Sequence, residues 1–201
     1  MRPRRVALCL SALLPLAAPP ARAGEQPATT PTRDVDIAYR LAGADGAAPP
    51  EQRVRWDVAG GRQRIDPPMP GLHIIVDTRA HRLASVRDKE RLALEIDQSQ
   101  ARPAPGAEAG YTRLGTASIA GIGCTVWREG AAEGGPELCF TADGVLLRVV
   151  SAGKVVAEAT RVSYGPADPA DFDIPADYRR ILAKPPPPAG IATTAPKETA
   201  P

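Results

Sequence analysis

Cys139-Phe140-Thr141-Ala142-Asp143-Gly144-Val145-Leu146-Leu147-Arg148-Val149 is the stretch whose reading decides the fold. Asp143-Gly144 stands between two apolar runs, and an Asp-Gly pair so flanked is a strong hairpin signal. After it Val145, Leu147 and Val149 keep a period of two, which sends apolar side chains to one face of a strand and the others to the opposite face. Working outward, the same period recurs at Val35, Ile37, Tyr39 and Leu41, at Val54, Trp56 and Val58, at Leu92, Leu94 and Ile96, at Ile122, Cys124 and Val126, and at Val162 and Tyr164. Gly60-Gly61, Asp88-Lys89-Glu90 and Ala152-Gly153 separate neighbouring runs. Turns this short join antiparallel strands, because a parallel pair needs a crossover of a dozen residues or more. The expected fold is mostly β, a single antiparallel meander of about ten strands.

Some segments are harder to read. Arg87 to Asp97 contains good helix formers, but its period of two favours strand. Ile74-Ile75-Val76 is apolar on both faces, as in a strand covered on both sides. Gln98 to Gly110 reads as a loop between two halves of one sheet. Ala176 to Ala183 can be a short C-terminal helix.

The ends of the chain set its compartment. Arg2, Arg4 and Arg5, the apolar Val6 to Leu16, and Ala21-Arg22-Ala23 read together as a signal peptide over residues 1–23. The apolar run is too short to span a bilayer. Residues 24–33 are expected to be a flexible leader, 34–182 the domain, and 183–201 a Pro-rich disordered tail with Pro185 to Pro188 at its start. The expected destination is the periplasm or the exterior, with no transmembrane segment. Four of the 25 basic residues and none of the 23 acidic ones lie in the signal, so the mature chain carries a net charge of −2. That balance, with only two Trp, four Tyr and two Phe, argues against nucleic acid.

Cys9 leaves with the signal, so Cys124 and Cys139 remain. An exported chain with two nearby cysteines is expected to bridge them. If their hairpin pairs symmetrically about Glu129 to Gly135, the two sit directly opposite each other. Redox-active and zinc-binding alternatives are disfavoured, because the spacing is not CxxC and only His73 and His81 are available as further ligands.

The Gly121-Ile122-Gly123-Cys124-Thr125-Val126-Trp127 strand, the Cys139 to Leu146 hairpin and the ending Phe172-Asp173-Ile174-Pro175-Ala176-Asp177-Tyr178 carry a family resemblance. So do the Val35 to Leu41 opening and the Ile74-Ile75-Val76-Asp77 strand with its return at Leu83 to Val86. Over Val35 to Tyr178 the chain resembles the bacterial periplasmic half-barrels related to the Lol lipoprotein carriers, nearest to an uncharacterised branch. The resemblance implies an open antiparallel half-barrel whose concave side holds acyl chains. The carriers cover that side with helices, and this sequence has no clear amphipathic helix.

Other features have plain readings. His73 and His81 are expected on the surface. Asp168, Asp171, Asp173 and Asp177 form an acidic cluster interrupted by prolines, read as solvated surface rather than a calcium site. Arg53, Arg55, Arg62 and Arg64, extended by Arg79, Arg82, Arg87 and Arg91, form a stripe that is either a surface for lipid head groups or a charged face with Asp57 and Asp66 interleaved. No nucleophile–base pair is visible, so no enzyme, cofactor or metal is expected.

The leading functional reading is an exported soluble binding module that holds an apolar or acyl ligand. Its candidate lining is Trp56, Ile74, Val76, Leu92, Leu94 and Ile96, each of which reads equally well as ordinary core. The second reading is a cell-envelope interaction or sensor protein whose sheet edge or tail meets a partner.

Overall fold

In the computed structural model the chain is described over residues 26–43, 48–99, 110–130 and 134–183. The segment expected to be a signal peptide, most of the Gln98 to Gly110 segment and residues 184–201 of the expected tail lie outside these residues. One sheet contains twelve strands: β1 (Val35–Leu41), β2 (Glu51–Asp57), β3 (Arg62–Asp66), β4 (Leu72–Asp77), β5 (Arg82–Arg87), β6 (Leu92–Asp97), β7 (Tyr111–Ile119), β8 (Ile122–Glu129), β9 (Glu137–Phe140), β10 (Leu146–Ser151), β11 (Lys154–Tyr164) and β12 (Arg179–Ala183). Their order is β12-β6-β5-β4-β3-β2-β1-β11-β10-β9-β8-β7. The two halves of the chain are therefore successive meanders, β1 to β6 and β7 to β11, joined by antiparallel pairing of β1 with β11.

The turns follow the local sequence. Ala152 and Gly153 both have positive φ (48° and 73°), as a two-residue mirror-image hairpin turn requires. In the Asp143-Gly144 hairpin the Thr141 hydroxyl donates to Asp143 Oδ1 at 2.6 Å and accepts from the Val145 amide at 2.9 Å. Arg87 to Asp97 is indeed strand, turn and strand, with β5 and β6 paired from Arg82↔Asp97 to Arg87↔Leu92.

The sheet is open and bends toward one face. Gln63 on β3 and Val149 on β10 line the same cleft. On a flat sheet those strands, four steps apart, would be separated by about 19 Å. Register shifts at Ala38/Tyr39 of β1 and in β10 mark bulges, which increase local twist and bend a strand. The main core lies on the concave face and includes Val35, Ile37, Val54, Cys124, Cys139, Val145 and Leu147. Ile37, Val145 and Leu147 are at most 1% exposed.

Three expectations change. The terminal segment is not a helix: Arg179 to Ala183 forms β12, parallel to β6 with Arg179↔Leu92 and Ala183↔Ile96. An unpaired β6 edge and a buried carboxylate at Glu95 that receives Arg180 outweigh the weak local preference for helix. Ile74-Ile75-Val76 is not covered equally on both sides, since Ile75 is buried while Ile74 and Val76 are half-buried. The Cys124–Cys139 disulfide forms, with Cα atoms 5.5 Å apart, but across a diagonal. Cys139 stands opposite Val126, and Cys124 is two residues farther along β8. The loop between β8 and β9 is not centred on the cysteines, because Arg128 pairs with Glu137.

Candidate functional site

The concave cleft has a volume of about 400 Å³. Its apolar wall comes from β1, β2, β3, β9 and β10, with Ile37, Val54, Trp56, Ile65, Phe140 and Val149 as the main contributors. Gln52 and Gln63 supply polar groups. Tyr39 also faces the cleft. Its hydroxyl donates to the Leu146 carbonyl at 2.6 Å, and burial pushes its pKa up, so it stays neutral.

The register across β1 to β6 is regular, and it fixes which residues share this face. One row runs Val35, Trp56, Gln63, Val76, Leu83, Ile96, and the next runs Ile37, Val54, Ile65, Ile74, Ser85, Leu94. Leu92 is in the adjoining row with Leu72 and Arg87. All six residues read from sequence as lining, Trp56, Ile74, Val76, Leu92, Leu94 and Ile96, thus lie on the same face. Only Trp56 reaches the cleft itself. The other five extend the cleft wall as a half-buried apolar strip over β4 to β6. Sequence reasoning missed Phe140, Leu146 and Val149, which come from the other half of the chain. No local signal could pair that half with β3.

The residues expected to form a leader also belong to this site. Thr29 and Pro31 line the cleft, and Pro31 is buried. The Thr32 amide donates to the Asp143 carbonyl at 3.0 Å. Arg33 donates to Asp143 Oδ2 at 2.7 Å and lies 3.5 Å from the Tyr164 ring centroid. Gly144 is needed twice over. Its φ is +89°, and a Cβ there would collide with the Thr30 carbonyl oxygen.

On the opposite face of β2 to β6 Arg53, Arg55, Arg62 and Arg64 meet carboxylates, two of them from the acidic cluster, whereas Arg87 of the expected stripe lies in the concave-face row with Leu72 and Leu92. Arg53 pairs with Asp36 at 2.7 Å. Arg55 binds Asp66 at 2.8 Å and Asp171 at 2.5 Å. Arg62 binds Asp57 at 2.8 Å and Asp173 at 3.0 Å. Arg64 binds Asp66 at 2.9 Å. These four arginines are neutralised by carboxylates, which is the interleaved-charge alternative. Asp36 is held below its usual range, chiefly by the hydrogen bond from Arg53. Asp57 is held low against the opposing effect of its burial by the Gly60 amide and Arg62. Glu95 is 4% exposed and shared by Arg180 and Arg82, with Arg180 the main cause of its lowered pKa.

His73 is not on the surface. It is 5% exposed in β4, with neither ring nitrogen hydrogen-bonded among the described residues and Nδ1 3.7 Å from Asp88. Burial lowers its pKa. His81 is exposed in the turn before β5. Among the described residues no group of three or more His, Cys, Asp or Glu is placed to hold a metal ion. None of the described helices is long and apolar enough to cross a membrane.

These features define an open, curved sheet, antiparallel except for β12, with an apolar concave cleft, and solved structures share the fold. An uncharacterised conserved protein from Thermus thermophilus aligns at 13% identity and a TM-score of 0.54, covering 76% of this chain and 91% of that one. PNGF-II aligns at 13% identity and a TM-score of 0.53, over 76% of this chain and 31% of that one. A chain of the Pseudomonas aeruginosa MucA/MucB complex aligns at 14% identity and a TM-score of 0.51, over 76% of this chain and 59% of that one. At such identities the likeness is one of fold. No family model matches the chain, and no curated protein matches it in sequence.

Proposed function

We propose that the protein is an exported, non-catalytic binding module that holds an apolar ligand, such as a single acyl chain, in its concave cleft. The observation that carries this reading is the cleft of about 400 Å³ whose apolar wall continues into the half-buried strip of Ile74, Val76, Leu92, Leu94 and Ile96. Ligand sites are concave, mostly apolar and furnished with a few polar groups, as Gln52 and Gln63 are here. The disulfide suits an oxidising compartment and so supports export. The resemblance to the Lol-related carriers fits a periplasmic setting.

Trp56 reports on the cleft. Titrating the protein with a fatty acid or lysophospholipid should change tryptophan fluorescence, and Trp56→Phe should remove most of the response. A flat titration with a destabilised Trp56→Phe would reject the ligand reading.

A second reading, an envelope interaction protein without a small ligand, is favoured by the sheet edges. Among the described residues β7 and β12 each pair on one side only, and Leu182 on β12 is 65% exposed. Such edges are templates for another strand.

A further inference from the structure

Between β11 and β12 the chain leaves the sheet at Gly165 and crosses the outer face of β2 to β6. Up to Tyr178 its backbone bonds are internal or involve side chains: the amides of Asp171, Asp173 and Tyr178 donate to the carbonyls of Asp168, Ala170 and Pro175, those of Ala167 and Ala170 to the carboxylates of Asp34 and Asp168, and the Asp171 carbonyl accepts from Arg64 at 2.9 Å. Side chains do the rest. Phe172 is 3% exposed, and Arg62 lies 5.3 Å from its ring centroid. Ile174 and Tyr178 cover an apolar patch of Ile75, Ala84, Val86 and Ala93. Asp171 and Asp173 reach Arg55 and Arg62.

The sheet does not depend on these carboxylates. Without Asp171, Arg55 keeps Asp66, and Arg64 keeps the same Asp66. Without Asp173, Arg62 keeps Asp57. Lifting the segment therefore strands no buried charge, which is the step that makes breaking most buried pairs costly. The groove is also wider than its occupant. A cavity of about 520 Å³ lies on the side of Ile174 and one of about 250 Å³ on the side of Asp168. At the Asp168 end the buried Nε of Arg55 has no acceptor among the described residues.

We infer that this outer groove is a peptide-docking site that the chain fills in cis with residues 168–178, a single 3-10 turn over Pro169–Phe172 followed by a second turn, and that its partner is an acidic segment of another protein that takes up the same turned conformation. The partner carries carboxylate, aromatic, carboxylate and aliphatic side chains in succession, as Asp171, Phe172, Asp173 and Ile174 do. The carboxylates meet the outward N–H groups of Arg55 and Arg62, and the apolar residues cover Ile75 and Ala84. Charge-assisted Arg–carboxylate bonds set the register. This site is on the opposite face from the concave cleft and does not depend on a ligand there, so a flat lipid titration leaves it standing.

The test uses the full chain and a fluorescein-labelled peptide with the sequence of residues 168–178. Phe172→Ala with Ile174→Ala loosens the cis segment and should raise affinity for the peptide at least tenfold over the unsubstituted chain. Adding Arg62→Ala should reverse that gain, and a peptide with lysine in place of both carboxylates at 171 and 173 should not bind. A loosened chain that keeps its β-sheet circular dichroism yet binds no peptide, or binds the lysine peptide equally well, overturns the inference. So does a stable dimer of the loosened chain, because the occupant is then a second copy. If that variant does not fold, hydrogen exchange of the unsubstituted protein decides. The amides of Asp173 and Tyr178 should exchange before those of Val54 and Arg179, and exchange of all four at one common rate overturns the inference.

Discussion

The two faces of β1 to β6 solve the same problem differently. Each has an apolar centre that water would penalise. On the outer face the chain covers that centre with its own residues 168–178 and ties the rim with Arg–Asp pairs. On the concave face β1 and β2 are packed by the second half of the chain, while the apolar rows over β4 to β6 stay half-buried. The difference separates apolar surface that is closed by the fold from apolar surface left for something else to close.

The sharpest way to break this comparison is a pair of truncations. Leu147→Ala removes a side chain that is 0% exposed in the main core and should cost about 2–5 kcal/mol in denaturant unfolding. Leu94→Ala, on the half-buried strip, should cost about 1 kcal/mol or less. Equal costs would show that the strip is packed core. Next in size is the disulfide. Cys124→Ser with Cys139→Ser should lower stability by about 3 kcal/mol with the sheet still assembled, since the bridge closes a loop with a sequence separation of 15. Labelling of both thiols in native, unreduced protein would remove that account.

Acid should act first on the outer face. Burial depresses the pKa of His73 below its ordinary 6.5, so the unfolded chain takes up a proton that the folded chain refuses. Stability should therefore fall as pH drops below about 6.5, by at most about 1.4 kcal/mol per pH unit for that one proton. His73→Gln should flatten this limb. A second loss should begin below about pH 4.5, the ordinary value for Glu95, because its folded pKa is lowered and its contribution disappears as it protonates. Glu95→Gln should weaken that limb and leave the first unchanged. The smallest effect is expected from deleting Lys184 to Pro201, which should leave the melting temperature nearly unchanged. A large drop would move the domain boundary.

The sequence by itself determined most of the strands and turns and the bridge between Cys124 and Cys139, because period-two patterning, Asp-Gly and Ala-Gly turns and a nearby cysteine pair act over a few residues. Alternation picked out Trp56, Ile74, Val76, Leu92, Leu94 and Ile96 strand by strand, but that they share a face follows from the register of the paired strands, since a slip of one residue would turn a strand's set to the other side. Tertiary structure decided the rest. The two meanders join through β1 and β11, strands more than a hundred residues apart, and only that pairing brings Phe140 and Val149 to Trp56. The last segment becomes a parallel strand because β6 offers an open edge and Glu95 a buried carboxylate, neither of which is written in residues 176–183. His73 is buried on the outer face of the sheet, which a segment a hundred residues later crosses, and nothing beside it in sequence announces that burial. The arginine stripe and the aspartate cluster were each legible alone, but that Arg55 and Arg62 bind Asp171 and Asp173 is a fact of long-range packing, which no local pattern encodes.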